Sequence, residues 1–80
     1  SQKYVSAELI ICSWKIKGFP HIEAFITKEE ESPRYPKLRV VYQPGAYPIL
    51  VLKKVDGHEE TKAIDKWKTE HLEEFFSTQL

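Results

Sequence analysis

The residue best placed to do chemistry in this chain is its single cysteine. Cys12 ends the apolar run of "ELIICSWKIKGFP", Glu8 to Pro20, just before a serine, a tryptophan and two lysines. A thiol there becomes a nucleophile toward disulfides if neighbours bring its pKa below the free value of about 8.5. Lys15, Lys17 and the amides of an opening helical turn are the groups at hand. A lone thiol can form a mixed disulfide but cannot resolve it internally, because exchange needs a second attacking sulfur. The alternative is a small buried apolar side chain at a strand end, and local composition by itself favours that.

Other chemistry is thinner. His21, at the start of a predicted helix, is either a proton shuttle near Cys12 or a solvated first-turn residue. His21, His58 and His71 are far apart and no Cys-x-x-Cys occurs, so no metal site is expected. Trp14, in a polar Ser-Trp-Lys loop, is either core or a contact surface. Tyr47-Pro48 stands just before a predicted strand. A cis bond is open to it, since X–Pro gives up only about 0.5–1 kcal/mol for cis. The ordinary expectation is a trans proline at a strand's first residue, where no ladder donor is needed. No triad, phosphate loop or carboxylate pair follows from spacing.

Composition narrows the partners. The chain has 80 residues, enough for one domain, 1–80, with a single core. Twelve acidic residues balance twelve basic ones, and the lysines are scattered among carboxylates. No phosphate-tracking stripe stands out, so nucleic acid is not expected. No apolar run approaches the roughly 20 residues that cross a bilayer. The polar "SQKYVSAE" has no signal-peptide core, which is uninformative if a leader has been removed. One cysteine excludes an internal disulfide framework.

The elements that must position Cys12 follow from periodicity. Ala7 to Cys12 is nearly continuously apolar, as in a central strand covered on both faces. Pro20 pre-sets a helix that runs to about Glu30, with Ile22, Phe25 and Ile26 on its apolar stripe and Glu29 ending it. "ESPRYPK" is a loop. "LRVVYQ" and "ILVLKK" are strands separated by "PGAYP". Asp56-Gly57 predicts a two-residue hairpin with positive φ at both positions, returning into "ETKAI" as a fourth strand. Thr69 is expected to cap a last helix, with Trp67 as a staple before it and Leu72, Phe75 and Phe76 facing inward.

The order β-α-β-β-β-α predicts an α/β, two-layer fold: a mixed four-stranded sheet with two main helices. That is the element order of a minimal thioredoxin-like fold. There, chemistry sits where the first strand meets the first helix, and a cis-proline precedes the third strand.

At these residues the chain resembles the selenoprotein F and selenoprotein M family. The matching segments are "CSWK", "GFPHIEAFI", "LRVVYQPGAYPILVLK" and "DKWKTEHLEEFFS", in order and at similar spacing from about Ala7 to Gln79. The resemblance implies a thiol–disulfide oxidoreductase of the endoplasmic reticulum lumen, acting in glycoprotein quality control on protein clients with thiols or disulfides. It implies no cofactor. Cys12 takes the family's first redox position and Pro48 its cis-proline position, with Ser13, Lys15 and Tyr47 as further client-contacting candidates.

Trp14 falls where the family has selenocysteine or cysteine, which removes the partner that would close the redox pair. A natural loss of dithiol chemistry, an introduced mutation, or a selenocysteine codon read as tryptophan would each give this residue. The resemblance also implies docking on the glycoprotein-folding sensor glucosyltransferase through a cysteine-rich N-terminal region, which has no counterpart in these residues. Two other readings stay open. One is a non-catalytic binding module presenting Trp14 and Tyr47; the other is a plain structural domain with Trp14 packed inside.

Overall fold

The computed structural model describes residues 3–80. Strand β1 (Tyr4–Ile11) leads through a short 3-10 turn (Ile16–Gly18) to helix α1 (Pro20–Glu31). Strands β2 (Leu38–Tyr42), β3 (Ile49–Lys54) and β4 (Glu59–Ala63) follow, and helix α2 (Thr69–Gln79) closes the chain. The sheet order is β2-β1-β3-β4, with β1 parallel to β2 and antiparallel to β3, and β3 antiparallel to β4. The fold is α/β with a mixed four-stranded sheet and two helices, as the sequence predicts. No helix among the described residues is long and apolar enough to cross a membrane.

The central place of β1 is as expected, but its cover is one-sided. Ala7, Leu9 and Ile11 are buried while Glu8 and Ile10 are half-exposed. That alternation marks a strand with one face in the core. Leu9 and Ile11 meet Ile22, Phe25 and Ile26 of α1, Leu50 and Leu52 of β3, and Leu72 and Phe76 of α2 in one apolar cluster. Phe25 and Phe76 lie with ring centroids 5.4 Å apart, and Tyr35 stacks on Phe25 at 6.3 Å.

Several local expectations are corrected. The apolar stripe of α1 does not end at Glu29; it carries that carboxylate inside. Glu29 is 6% exposed and accepts the backbone N–H groups of Arg34 and Tyr35 at 3.0 Å each, with Arg34 Nε at 3.3 Å. Arg34 also reaches Glu73 of α2 at 2.8 Å, to which Tyr35 donates its hydroxyl at 2.9 Å. The buried charge of Glu29 is tolerated because both of its oxygens find donors, whereas Glu73 Oε2 is buried without a hydrogen-bond partner. The β3–β4 hairpin has positive φ only at Gly57 (+94°), so it is not the two-residue turn. Gly57 N–H donates to Lys54 O and Lys54 N–H to His58 O, which closes a three-residue loop over Val55–Gly57. Thr69 is not the cap of α2. Lys68 is, without a side-chain bond, while the Thr69 hydroxyl donates to His21 O at 2.7 Å and ties the starts of the two helices together. Trp67 does pack ahead of α2, stacked on His71 at 3.8 Å and edge-on to Phe75 at 5.4 Å.

Candidate functional site

Strand β1 ends at Ile11, and Cys12 is the first residue beyond it. The N–H of Lys15 donates to Cys12 O at 3.0 Å, closing a turn with Ser13 and Trp14 at its tip. A tip residue has no sheet or helix over it, and Trp14 is 87% exposed. The reading of Trp14 as a packed core residue is overturned. Ser13 is also exposed and Lys15 half-buried.

The loop between β2 and β3 supplies the other wall. Ala46 N–H donates to Gln43 O at 3.1 Å, with Pro44 and Gly45 between them and Gly45 at φ +80°. Proline followed by a positive-φ glycine is the signature of a type II turn. The turn lies beside the end of β1: Cys12 N–H donates to Ala46 O, and Gln43 N–H to Ile11 O, both at 3.0 Å. Beyond it, Tyr47 is 63% exposed and Pro48 is buried.

The cis bond that the resemblance implies at Tyr47-Pro48 is absent, and the trans proline expected from local sequence is found. No cis peptide occurs among the described residues. The turn at Pro44-Gly45 already reverses the chain, and Pro48 enters the sheet region directly, its carbonyl accepting Ile64 N–H at 3.1 Å. With no geometry demanding cis, the trans preference of X–Pro decides.

Cys12 is only 3% exposed, yet its thiol is held below the ordinary cysteine pKa. The largest cause is the Gly45 backbone N–H, which donates to the sulfur. Burial pushes the other way. The N–H groups of Trp14 and Lys15 and the Lys15 ammonium add to the lowering. Partial positive charge from three amides and a full charge from one lysine favour the thiolate over the thiol. The Lys15 ammonium stands over the Tyr47 ring, 4.0 Å from its centroid, and Phe19 meets that ring edge-on at 6.4 Å. Lys17 turns away to Glu23, at 2.7 Å.

The structure therefore brings Cys12, Trp14, Lys15, Tyr47 and Pro48 to one end of the sheet. Sequence reasoning missed Gly45, Ala46 and Phe19. The Pro-Gly pair was a readable type II signal; its aim at a sulfur 33 positions earlier was not. Among the described residues no cluster of three or more His, Cys, Asp or Glu side chains is placed to hold a metal.

A thiol cradled at the junction of a first strand and a first helix, on this sheet, defines a redox domain of thioredoxin-like fold. The chain belongs to the Sep15/SelM redox domain family, whose model matches residues 6–80. It is 36% identical over 78 residues to Selenoprotein F of Oncorhynchus mykiss, covering 96% of this chain and 49% of the relative. Against Selenoprotein F of Homo sapiens it is 33% identical, covering 96% and 47%. The chain thus spans about half the length of the curated relatives it matches. The solution structure of Sep15 from Drosophila melanogaster superposes with a TM-score of 0.76 at 37% identity, covering 98% of this chain and 62% of that one.

Proposed function

We propose that this domain is a thiol-exchange protein of the endoplasmic reticulum lumen, acting on polypeptide clients in glycoprotein folding and quality control. The Cys12 thiolate attacks one sulfur of a client disulfide. That S–S bond breaks, the other client sulfur leaves as a thiolate, and Cys12 is left in a mixed disulfide. A second thiol, from the client or a small-molecule thiol, then attacks the mixed disulfide and frees Cys12. The observation that carries this reading is the placing of Cys12 at the end of β1, its N–H donating to Ala46 O beside the Pro44-Gly45 turn and the Lys15 ammonium over the adjoining Tyr47 ring, with the Gly45 N–H the chief cause holding the thiol below its ordinary pKa. Exposed Tyr47, with the Lys15 ammonium over its ring, forms the wall against which a client lies, buried Pro48 supports it from behind, and Ser13 borders the entrance.

Trp14 stands at the second redox position, so no internal thiol resolves the mixed disulfide. Insulin reduction by this chain is expected to show little or no turnover, and Trp14→Cys, which creates a Cys-x-Cys pair, to raise it. Turnover by the unaltered chain at the rate of a two-thiol relative would overturn the proposal. Docking on the glycoprotein-folding sensor glucosyltransferase would draw on a cysteine-rich region outside the matched domain.

A second reading rests on the exposed rings of Trp14 and Tyr47. In it the same end of the sheet binds clients without exchange. Cys12→Ala separates the two: it abolishes client retention under oxidising conditions if exchange is the function, and leaves it intact if apolar contact suffices.

A further inference from the structure

We propose that the cavity beside the thiol site is an anchor for one large apolar side chain of an acidic client segment; this rests on the thiol-exchange reading and names the kind of client it serves. The cavity lies between the start of α1 and the loop joining β4 to α2. Its volume is about 170 Å³. Small-molecule sites run to roughly 300–1,000 Å³, so this one suits a single side chain and not a free ligand. Phe19, Ile22 and Trp67 supply its apolar wall.

Phe19 links the cavity to the site. Phe19 lines it and meets Tyr47 at 6.4 Å, and Tyr47 carries the Lys15 ammonium over its ring. Pro48 O accepts Ile64 N–H and Ile64 O accepts Trp67 N–H, so the backbone that holds Pro48 also holds the cavity's aromatic wall. An extended client advances about 3.3 Å per residue, and the step from Tyr47 to Phe19 alone takes about two residues. The anchoring residue therefore sits at least about two positions from the reacting cysteine.

Charge selects among the clients that could fit. Lys66 and Lys68 line the cavity, and Lys15 stands over the Tyr47 ring that Phe19 meets. None of the three has a carboxylate within salt-bridge distance among the described residues. Asp65 is the one carboxylate lining the cavity, so the rim is net positive. Unpaired cations around an apolar pocket complement a segment in which acidic residues flank an aromatic or branched aliphatic one.

Peptides carrying one cysteine as its mixed disulfide with 5-thio-2-nitrobenzoate test this on the 80-residue chain. Cys12 attacks the peptide sulfur, and the released coloured thiolate reports each exchange. With Phe as anchor and Asp flanks, exchange is expected to run about tenfold faster than with Ala as anchor. Lys flanks slow it, and added salt shrinks the difference between flanks. The double variant Lys66→Glu, Lys68→Glu inverts the flank preference. Equal rates across the set, or a flank preference unchanged in the double variant, overturns the proposal. Labelled peptides without cysteine, followed by anisotropy, read the pocket apart from the thiol. Absence of exchange with any disulfide overturns the thiol reading, while the same anchor and flank preferences in anisotropy sustain the pocket.

Discussion

Gly45→Ala is the sharpest perturbation of the site, because it strains one turn and leaves every side chain in place. Gly45 has φ +80°, and a Cβ added there would meet nothing within 4 Å. The cost is therefore conformational, about 1–2 kcal/mol for an L-residue in the left-handed region. At about 4–8 °C per kcal/mol for a domain of this size, the melting temperature falls by roughly 4–16 °C. Gly57→Ala is the matched control: φ is +94°, space is equally open, and the loop lies at the opposite end of β3 and β4. Both variants lose comparable stability in urea or thermal unfolding. They part at the thiol. The Gly45 N–H is the largest influence lowering the Cys12 pKa, and a strained turn re-aims it. In Gly45→Ala the thiolate absorbance near 240 nm titrates at higher pH, and alkylation by iodoacetamide at pH 7 slows. Gly57→Ala titrates as the parent does. If Gly45→Ala unfolds like the control but keeps the parent thiol titration, the amide cradle does not activate Cys12 and the mechanism fails.

The pair Tyr4–Glu60 makes stability fall at both pH extremes. Its hydroxyl–carboxylate bond is 2.5 Å, and the Lys54 ammonium stands 2.8 Å from the same carboxylate. Glu60 is lowered to about 2, chiefly by its bond from Lys54, so its contribution is present above the ordinary glutamate range and lost as pH falls from about 4.5 toward 2. Tyr4 is pushed up to about 12, first by burial, so its contribution holds below pH 10 and is lost as pH rises toward 12. Urea midpoints for Glu60→Gln should be flatter than the parent's across the acid window; parallel curves would refute the linkage. Glu29→Gln trades a charged acceptor of two buried N–H bonds for a neutral one and is expected to cost about 1–3 kcal/mol, against almost nothing for exposed Glu30→Gln. Equal denaturation midpoints for the two would show that the Arg34–Tyr35 loop holds without that carboxylate. Acrylamide should quench Trp14 far more than half-buried Trp67, and Trp14→Phe should remove most of the quenchable emission; a parent emission that resists quenching would contradict the exposed indole.

Element order was legible because each element writes its own period. Ile22, Phe25 and Ile26 recur at helical spacing after Pro20, and β1, β2 and β3 are short apolar runs between turn residues. What stayed hidden depended on partners distant in sequence. Glu29 reads as the polar end of an apolar stripe until the chain returns with the Arg34 and Tyr35 amides. Thr69 has a good cap side chain, but His21 O lies within its reach and takes the hydroxyl. At Asp56-Gly57 the glycine alone takes positive φ; Asp56 instead accepts His58 N–H through its carboxylate, which a three-residue loop permits.

Cys12 shows the same division most sharply. The sequence offered two readings of it, a buried filler or a working thiol, and treated them as alternatives. At 3% exposure it meets the first description, and a pKa lowered chiefly by the Gly45 backbone N–H is what the second requires. Burial raises a thiol's pKa only where nothing compensates. Here the compensation comes from backbone N–H groups, which every residue but proline carries, so no choice of side chain announces it. Trp14 contributes to that cradle through its amide while its indole stands in solvent. If position 14 is the second redox position, as proposed, tryptophan there supplies no resolving sulfur but still supplies the backbone N–H that helps lower the Cys12 pKa. Under the proposed function, such a site keeps a first thiol with a lowered pKa, and its exchange waits on a thiol from outside the chain.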